Sequence, residues 1–195
     1  MKFYKYIPIV ALSMATLTGI TPYAQAQTAN MTADVVVENS VTLATPAQLN
    51  FGMITAVRDT AQTATVTVDT AGSPSVATGG GTAITAILDA ASVSAGQVTV
   101  ADSADGVTLN VEINNVVDPV NGGESFVLDQ FTTSWNGGVA ANRTISTPWT
   151  ETFDSAFGGG TNTLDIGATI TTTSGSSAAY TDGTYSGTYD VVFSY

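Results

Sequence analysis

Sixteen carboxylates, two arginines beyond the first few residues and a large stock of threonine and serine hydroxyls are the reactive groups of this chain, which has neither histidine nor cysteine. That composition removes the thiolate nucleophile, the Ser–His dyad and the imidazole or thiolate zinc site together. The only lysines are Lys2 and Lys5, so no interior lysine can form a Schiff base. A pair of carboxylates working as in a glycosidase remains formally open. The acids, however, fall singly, mostly at turns or on polar strand positions. The expectation is a protein that is not an enzyme, with no catalytic, cofactor-binding or metal-ligating residues.

Three smaller constellations point weakly to ligands. Trp135 and Trp149 flank a loop containing Arg143. An exposed pair of indoles can stack on a sugar ring, which makes a carbohydrate a candidate partner, but tryptophans in a β-protein more often anchor a core or loop. Asp102-x-x-Asp105-Gly106 has two carboxylates near each other, yet lacks the alternating oxygen ligands and closing glutamate of a calcium loop. Asp105-Gly106 reads better as a compact hairpin turn between Val98–Ala101 and Val107–Ile113. Asn30-Met-Thr32 and Asn142-Arg-Thr144 match the glycosylation acceptor, a pattern frequent by chance in a threonine-rich chain.

The elements that must position these residues begin after a leader. Lys2 and Lys5 precede an apolar run from Ile7 to Ile20, followed by Ala24-Gln25-Ala26. A basic start, a modest apolar stretch and an Ala-x-Ala site predict a secretory signal peptide over residues 1–26. The run is too short for a membrane anchor, which needs about 20 predominantly apolar residues, and Ser13, Thr16, Thr18 and Gly19 interrupt it. Cleavage would leave residues 27–195 as one domain, exported to the periplasm, cell surface or medium. It would also remove both lysines and carry the net charge from −12 to −14. A surface so acidic repels nucleic acid and anionic membrane, and no basic patch exists to bind either.

Along residues 27–195 the pattern is β-strand and turn. Apolar residues alternate at Val35/Val37, Val41/Leu43, Leu49/Phe51, Val66/Val68, Val98/Val100, Val107/Leu109/Val111/Ile113 and Leu164/Ile166/Ala168/Ile170, the period of a half-buried strand. Between them stand turn formers such as Ala71-Gly-Ser-Pro74, Asn121-Gly-Gly123 and Asn136-Gly-Gly138, and the glycine triplets Gly79–Gly81 and Gly158–Gly160. Ala83–Ala91 alone is open to a brief coil, and Thr82, Thr85 and the following Ser-Val-Ser argue against a stable helix there. Seven to ten short strands at this spacing predict an all-β fold, an immunoglobulin-like β-sandwich with long Gly-rich loops. The final segment is the most regular. Tyr185, Gly187, Tyr189, Val191, Phe193 and Tyr195 point one way in an extended chain and are expected to be buried, whereas Ser186, Thr188, Asp190 and Ser194 point the other way with Val192.

Leu49-Asn-Phe51-Gly52-Met-Ile54, Leu164-Asp-Ile-Gly167-Ala168 and the closing Gly183-x-Tyr185-x-Gly187-x-Tyr189-x-Val191-x-x-x-Tyr195 resemble the bacterial secreted family called domain of unknown function 4402. That family looks similar to pilin-like subunits of chaperone–usher fimbriae, in which a comparable glycine-and-tyrosine strand closes the chain. The middle, about residues 70–160, fits only loosely, and the disulfide usual in pilins has no counterpart here. The resemblance implies an exported structural or adhesive subunit whose partners are a periplasmic chaperone and like subunits. Such subunits lack a final strand and accept a neighbour's N-terminal extension in the groove this leaves, a form of strand addition to a sheet edge. The candidate donor is Gln27–Asn39, where Ala29, Met31, Ala33, Val35 and Val37 alternate with Thr28, Asn30, Thr32, Asp34 and Val36. The same segment also reads as the first strand of a self-sufficient sandwich. The other function left open is a free-standing secreted or surface-attached binding domain that does not polymerise.

Overall fold

A computed structural model describes residues 41–195. The predicted leader (1–26) and the candidate donor positions Ala29, Met31, Ala33, Val35 and Val37 lie outside the described residues. Twelve strands and two single 3-10 turns make up the described chain: β1 (Thr42–Ala47), β2 (Met53–Val57), β3 (Thr65–Val68), β4 (Pro74–Ala77), β5 (Ile84–Asp89), β6 (Gly96–Ala101), β7 (Thr108–Asn121), β8 (Glu124–Trp135), β9 (Ala141–Arg143), β10 (Trp149–Thr152), β11 (Asn162–Thr172) and β12 (Ser186–Ser194). All ladders are antiparallel. The all-β sandwich expected from the alternation is what the chain forms.

One layer runs β1-β6-β11-β8-β9, with β3 continuing beside β11 past the end of β6 and β4 pairing on the outer side of β3. The other layer is β12-β7-β10. The two layers share one covalent and hydrogen-bonded corner. β7 and β8 pair only at their tip, Val120 with Ser125 and Asn121 with Glu124, and then diverge, one into each layer. Gly122 and Gly123 have φ of 58° and 91°, the left-handed backbone that a two-residue hairpin turn requires. Where β7 leaves β8, the Asp118 carboxylate accepts the Leu128 N–H at 2.8 Å and stands in for the missing ladder partner.

Side chains that alternate inward from both layers form the core: Val111 and Ile113 from β7, Phe131 from β8, Leu164 and Ile166 from β11, with Val66 and Val98 beside them. β6 and β3 meet end to end on the same edge of β11, Gly96 opposite Ile166 and Val68 opposite Ala168. Gly167 sits at that junction. A Cβ there would lie 2.4 Å from the Val68 carbonyl oxygen and 2.8 Å from Thr132 Oγ1, so no larger residue fits.

Two expectations need correction. β5 occupies most of Ala83–Ala91 as a strand paired with β2, and only Ala90–Ser92 coils; tertiary pairing overrides a weak local preference. Asp105-Gly106 does not close a hairpin. β6 pairs with β1 and β11 and β7 with β8, β10 and β12, so this turn carries the chain from one layer to the other.

Candidate assembly groove

β12 is the outermost strand of its layer, paired with β7 along Val191–Ile113, Phe193–Val111 and their neighbours. Its inward side chains rest on the core without being sealed by it. The Tyr189 ring lies 5.1 Å from Phe131 and the Phe193 ring 6.5 Å from Trp135, centroid to centroid. Tyr185 meets Phe126 edge-on at 5.2 Å. Tyr185, Tyr189, Val191 and Phe193 are therefore half-buried, in partial agreement with the alternation, but Gly187 and Tyr195 are exposed, Tyr195 by 52%. The strand itself ends at Ser194, one residue before Tyr195. Gly187 has a different duty from the one its parity predicts. Its would-be Cβ falls 2.5 Å from the Val117 carbonyl oxygen, so glycine lets β12 close against a bulged stretch of β7.

Three groups hold the N-terminal approach to β12. Glu124, at the start of β8, accepts from the Thr181 N–H at 2.6 Å and the Tyr185 hydroxyl at 2.9 Å through Oε2. Its Oε1 accepts from Arg58 Nη2. Those bonds, led by the one from Thr181, hold the Glu124 carboxyl below its usual range. The Arg58 guanidinium also lies over the Tyr180 ring, which stacks on Phe126 at 4.3 Å. This network ties the end of β2, the β7–β8 corner and the chain entering β12.

Beside β12, across from β1, lies an open groove of about 500 Å³. Its floor is apolar, with Leu49, Val98 and Ile166 below and Tyr189 and Val191 on the β12 side. Asp190 is the only charged residue among its described lining, in a chain of net charge −12. Burial pushes the Tyr189 hydroxyl up to about 12. It occupies the space of an absent side chain, because a Cβ on Gly96 would be 2.6 Å from its oxygen. Among the described residues, neither the outer edge of β12 nor that of β1 has a paired strand.

The opposite side of the sandwich is closed. β9 and β10 are short, and residues 144–148 pass between them from one layer to the other. Arg143 donates to Thr133 Oγ1 at 2.7 Å and to Glu151 Oε1 at 2.9 Å, and its guanidinium lies 4.4 Å from the centre of the Trp149 ring. Trp149 Nε1 donates to the same Glu151 oxygen, and Trp135 Nε1 to the Thr152 carbonyl. Burial pushes Glu151 up, against the opposing pull of Trp149 and Arg143. Both indoles pack against the core. The Trp135–Trp149 pair thus anchors this edge and offers no paired exposed faces for a sugar.

The remaining polar candidates are structural too. Asp105 Oδ1 accepts the Ser155 N–H at 2.9 Å and braces a loop. Asp59, which the sequence pattern did not single out, accepts from the Ala61, Gln62 and Thr82 N–H groups and the Thr82 hydroxyl. Among the described residues no group of three or more acids could hold a metal ion, and no helix is long and apolar enough to cross a membrane.

No curated protein and no solved structure matches this chain. The model of a family described as domain of unknown function (DUF4402) matches residues 41–195. That match spans every described strand, and the chain belongs to the DUF4402 family.

Proposed function

We propose that this protein is a non-catalytic, exported structural or adhesive subunit of a surface fibre, pilin-like in architecture and assembled by strand exchange between copies. The observation that carries this reading is the groove between β1 and β12. It is a channel with an apolar floor and a single charged residue, Asp190, beside an edge of the nine-residue β12 that has no paired strand among the described residues. Exposed strand edges of that kind template the addition of another strand. The chain itself has a fitting occupant in residues 27–39, whose alternating Ala29, Met31, Ala33, Val35 and Val37 could face the groove floor. A periplasmic chaperone holding the same edge before assembly is part of the reading, since such an edge left open aggregates.

A free-standing carbohydrate-binding domain is less well supported, because Trp135 and Trp149 commit their N–H groups to internal acceptors. The test is removal of residues 27–32 from the exported chain. The shortened protein is expected to keep its cooperative melt and to lose filament formation, read by electron microscopy and sedimentation. Filaments as long and as stable as those of the full protein would exclude the donor role.

A further inference from the structure

Two strand edges open on the groove, and they are not equivalent. β1 pairs with β6 as Thr42–Ala101, Leu43–Val100 and Ala44–Thr99, then resumes at Ala47–Gln97. Three steps along β1 therefore match two along β6, and the extra residue falls on β1 itself, within Thr45-Pro46. Proline has no N–H to offer, and a bulged strand twists its edge away, so both devices blunt β1 as a template.

β12 carries neither device. Its register with β7 also shifts twice, Ser186–Val120, Thr188–Val117 and Asp190–Asn114. Here each pair of steps on β12 matches three on β7, so both extra residues lie on β7. Asn115, with φ of 49°, and Pro119 mark the bent places. β12 runs unbroken from Ser186 to Ser194, with no proline and with Asp190 as its one charge. β12 is also the longest outer strand of the described chain: β4 opens on Pro74, β9 and β10 span only three and four residues, and β2 and β5, of five and six residues, pair with each other in a separate two-stranded sheet.

Resting on the strand-exchange reading above, we infer that residues 27–39 of a second copy hydrogen-bond to β12 alone, while β1 serves as a side wall that contacts the added strand through side chains and refuses main-chain pairing. The occupant is argued from chemistry present in the chain. The groove has an apolar floor of Leu49, Val98, Ile166, Tyr189 and Val191, polar residues such as Gln97 and Thr188 along its sides and one acid, Asp190. Residues 27–39 form an alternating segment of enough length to cover all nine residues of β12. Pro46 then has a specific task. It keeps the incoming strand from pairing with β1 in place of β12.

The chain contains no cysteine, so introduced cysteines report unambiguously. One cysteine is scanned from Ala29 to Val37 in the full protein, combined either with Thr188→Cys on β12 or with Thr45→Cys on β1. Disulfides need a Cα separation of about 4.4–6.8 Å, which only adjacent strands provide. Oxidised, assembled material is expected to give intermolecular ladders at least tenfold stronger with Thr188→Cys than with Thr45→Cys. Adding Pro46→Val is expected to raise the Thr45→Cys ladder severalfold by unblocking that edge. Equal ladders from both walls would overturn the β12-only inference and leave strand exchange standing. Disulfides confined to single chains, or ladders from neither wall, would overturn strand exchange and this inference with it.

Discussion

Replacing Gly96 by alanine tests the packing beneath the groove, because the sign of its effect depends on one oxygen atom. In the folded protein a Cβ on Gly96 would stand 2.6 Å from the Tyr189 hydroxyl oxygen, with Leu49 Cβ and N next at 3.4 Å. Ordinary contact begins near 3.4 Å, so the hydroxyl must retreat by about 0.8 Å. Its ring is backed by Phe131 at 5.1 Å, which leaves little room for the retreat. Forcing one extra methyl into such a site costs about 1–3 kcal/mol. Gly96 does not have a positive φ, so alanine also restricts the unfolded chain and returns about 0.4–1 kcal/mol. The expected net loss for Gly96→Ala is about 1–2 kcal/mol, or roughly 2–8 °C in Tm at 2–4 °C per kcal/mol for a domain of this size. Tyr189→Phe removes the obstructing oxygen. In that background Gly96→Ala is expected to stabilise by the entropic term alone, up to about 1 kcal/mol. Urea denaturation of the four proteins closes the cycle. A coupling energy within about 0.5 kcal/mol of zero, the limit of additivity for independent sites, would refute the placement of the Tyr189 hydroxyl against Gly96.

Gly167→Ala offers a contrast, since two of its three obstacles are main-chain atoms of Val68 and Asp69, at 2.4 and 2.8 Å, and only Thr132 Oγ1, also at 2.8 Å, belongs to a side chain. A loss of about 3 kcal/mol is expected, and trimming Thr132 to alanine should not restore it; full rescue in a urea melt would contradict the close passage of β3. The pH dependence has a definite sign. Hydrogen bonds hold Asp59 far below, and Asp105 and Glu124 below, the usual carboxylate range. Their stabilisation is complete above the unfolded values near 4 and is lost as pH falls through the lower folded values. Asp129 and Glu151 are shifted upward chiefly by burial and work in the opposite direction, gaining stability as they protonate. Asp59→Asn is therefore expected to be less stable at pH 7 and to show a flatter decline below pH 4, measured as urea midpoints from pH 7 to 2. Parallel curves for the two proteins would count against Asp59 as the main acid-labile brace.

The layers were legible where alternation runs unbroken. Leu109, Val111 and Ile113 of β7 and Leu164, Ile166 and Ala168 of β11 are all buried as their parity requires. Asn121-Gly-Gly123 likewise announces the corner that joins the layers. β8 was not legible as a strand, because Gln130 adopts φ of 51° and the bulge there breaks the rhythm between Leu128 and Phe131. Glu124 could not be recognised as the hub that secures β12, since its partners Arg58 and Tyr185 are distant in sequence and only the fold brings them together. Parity places Tyr185, Tyr189, Val191 and Phe193 on the core side but not Gly187 and Tyr195, which are exposed, and it says nothing about whether a strand lies inside a sheet or along its margin. That distinction needs the ladder partners, and it is the one on which the groove depends.

The pairing of β12 with β7 also imposes an order on biogenesis. Ile113 finds Val191 only after the whole of β8 to β11 has emerged between them, so the β12-β7-β10 layer must wait, half dressed, for the last segment to be delivered. Closing so long a loop is slow, and the apolar side of β7 stays adhesive throughout the delay. A growing chain is thus most vulnerable to misassembly just before residues 186–194 become available.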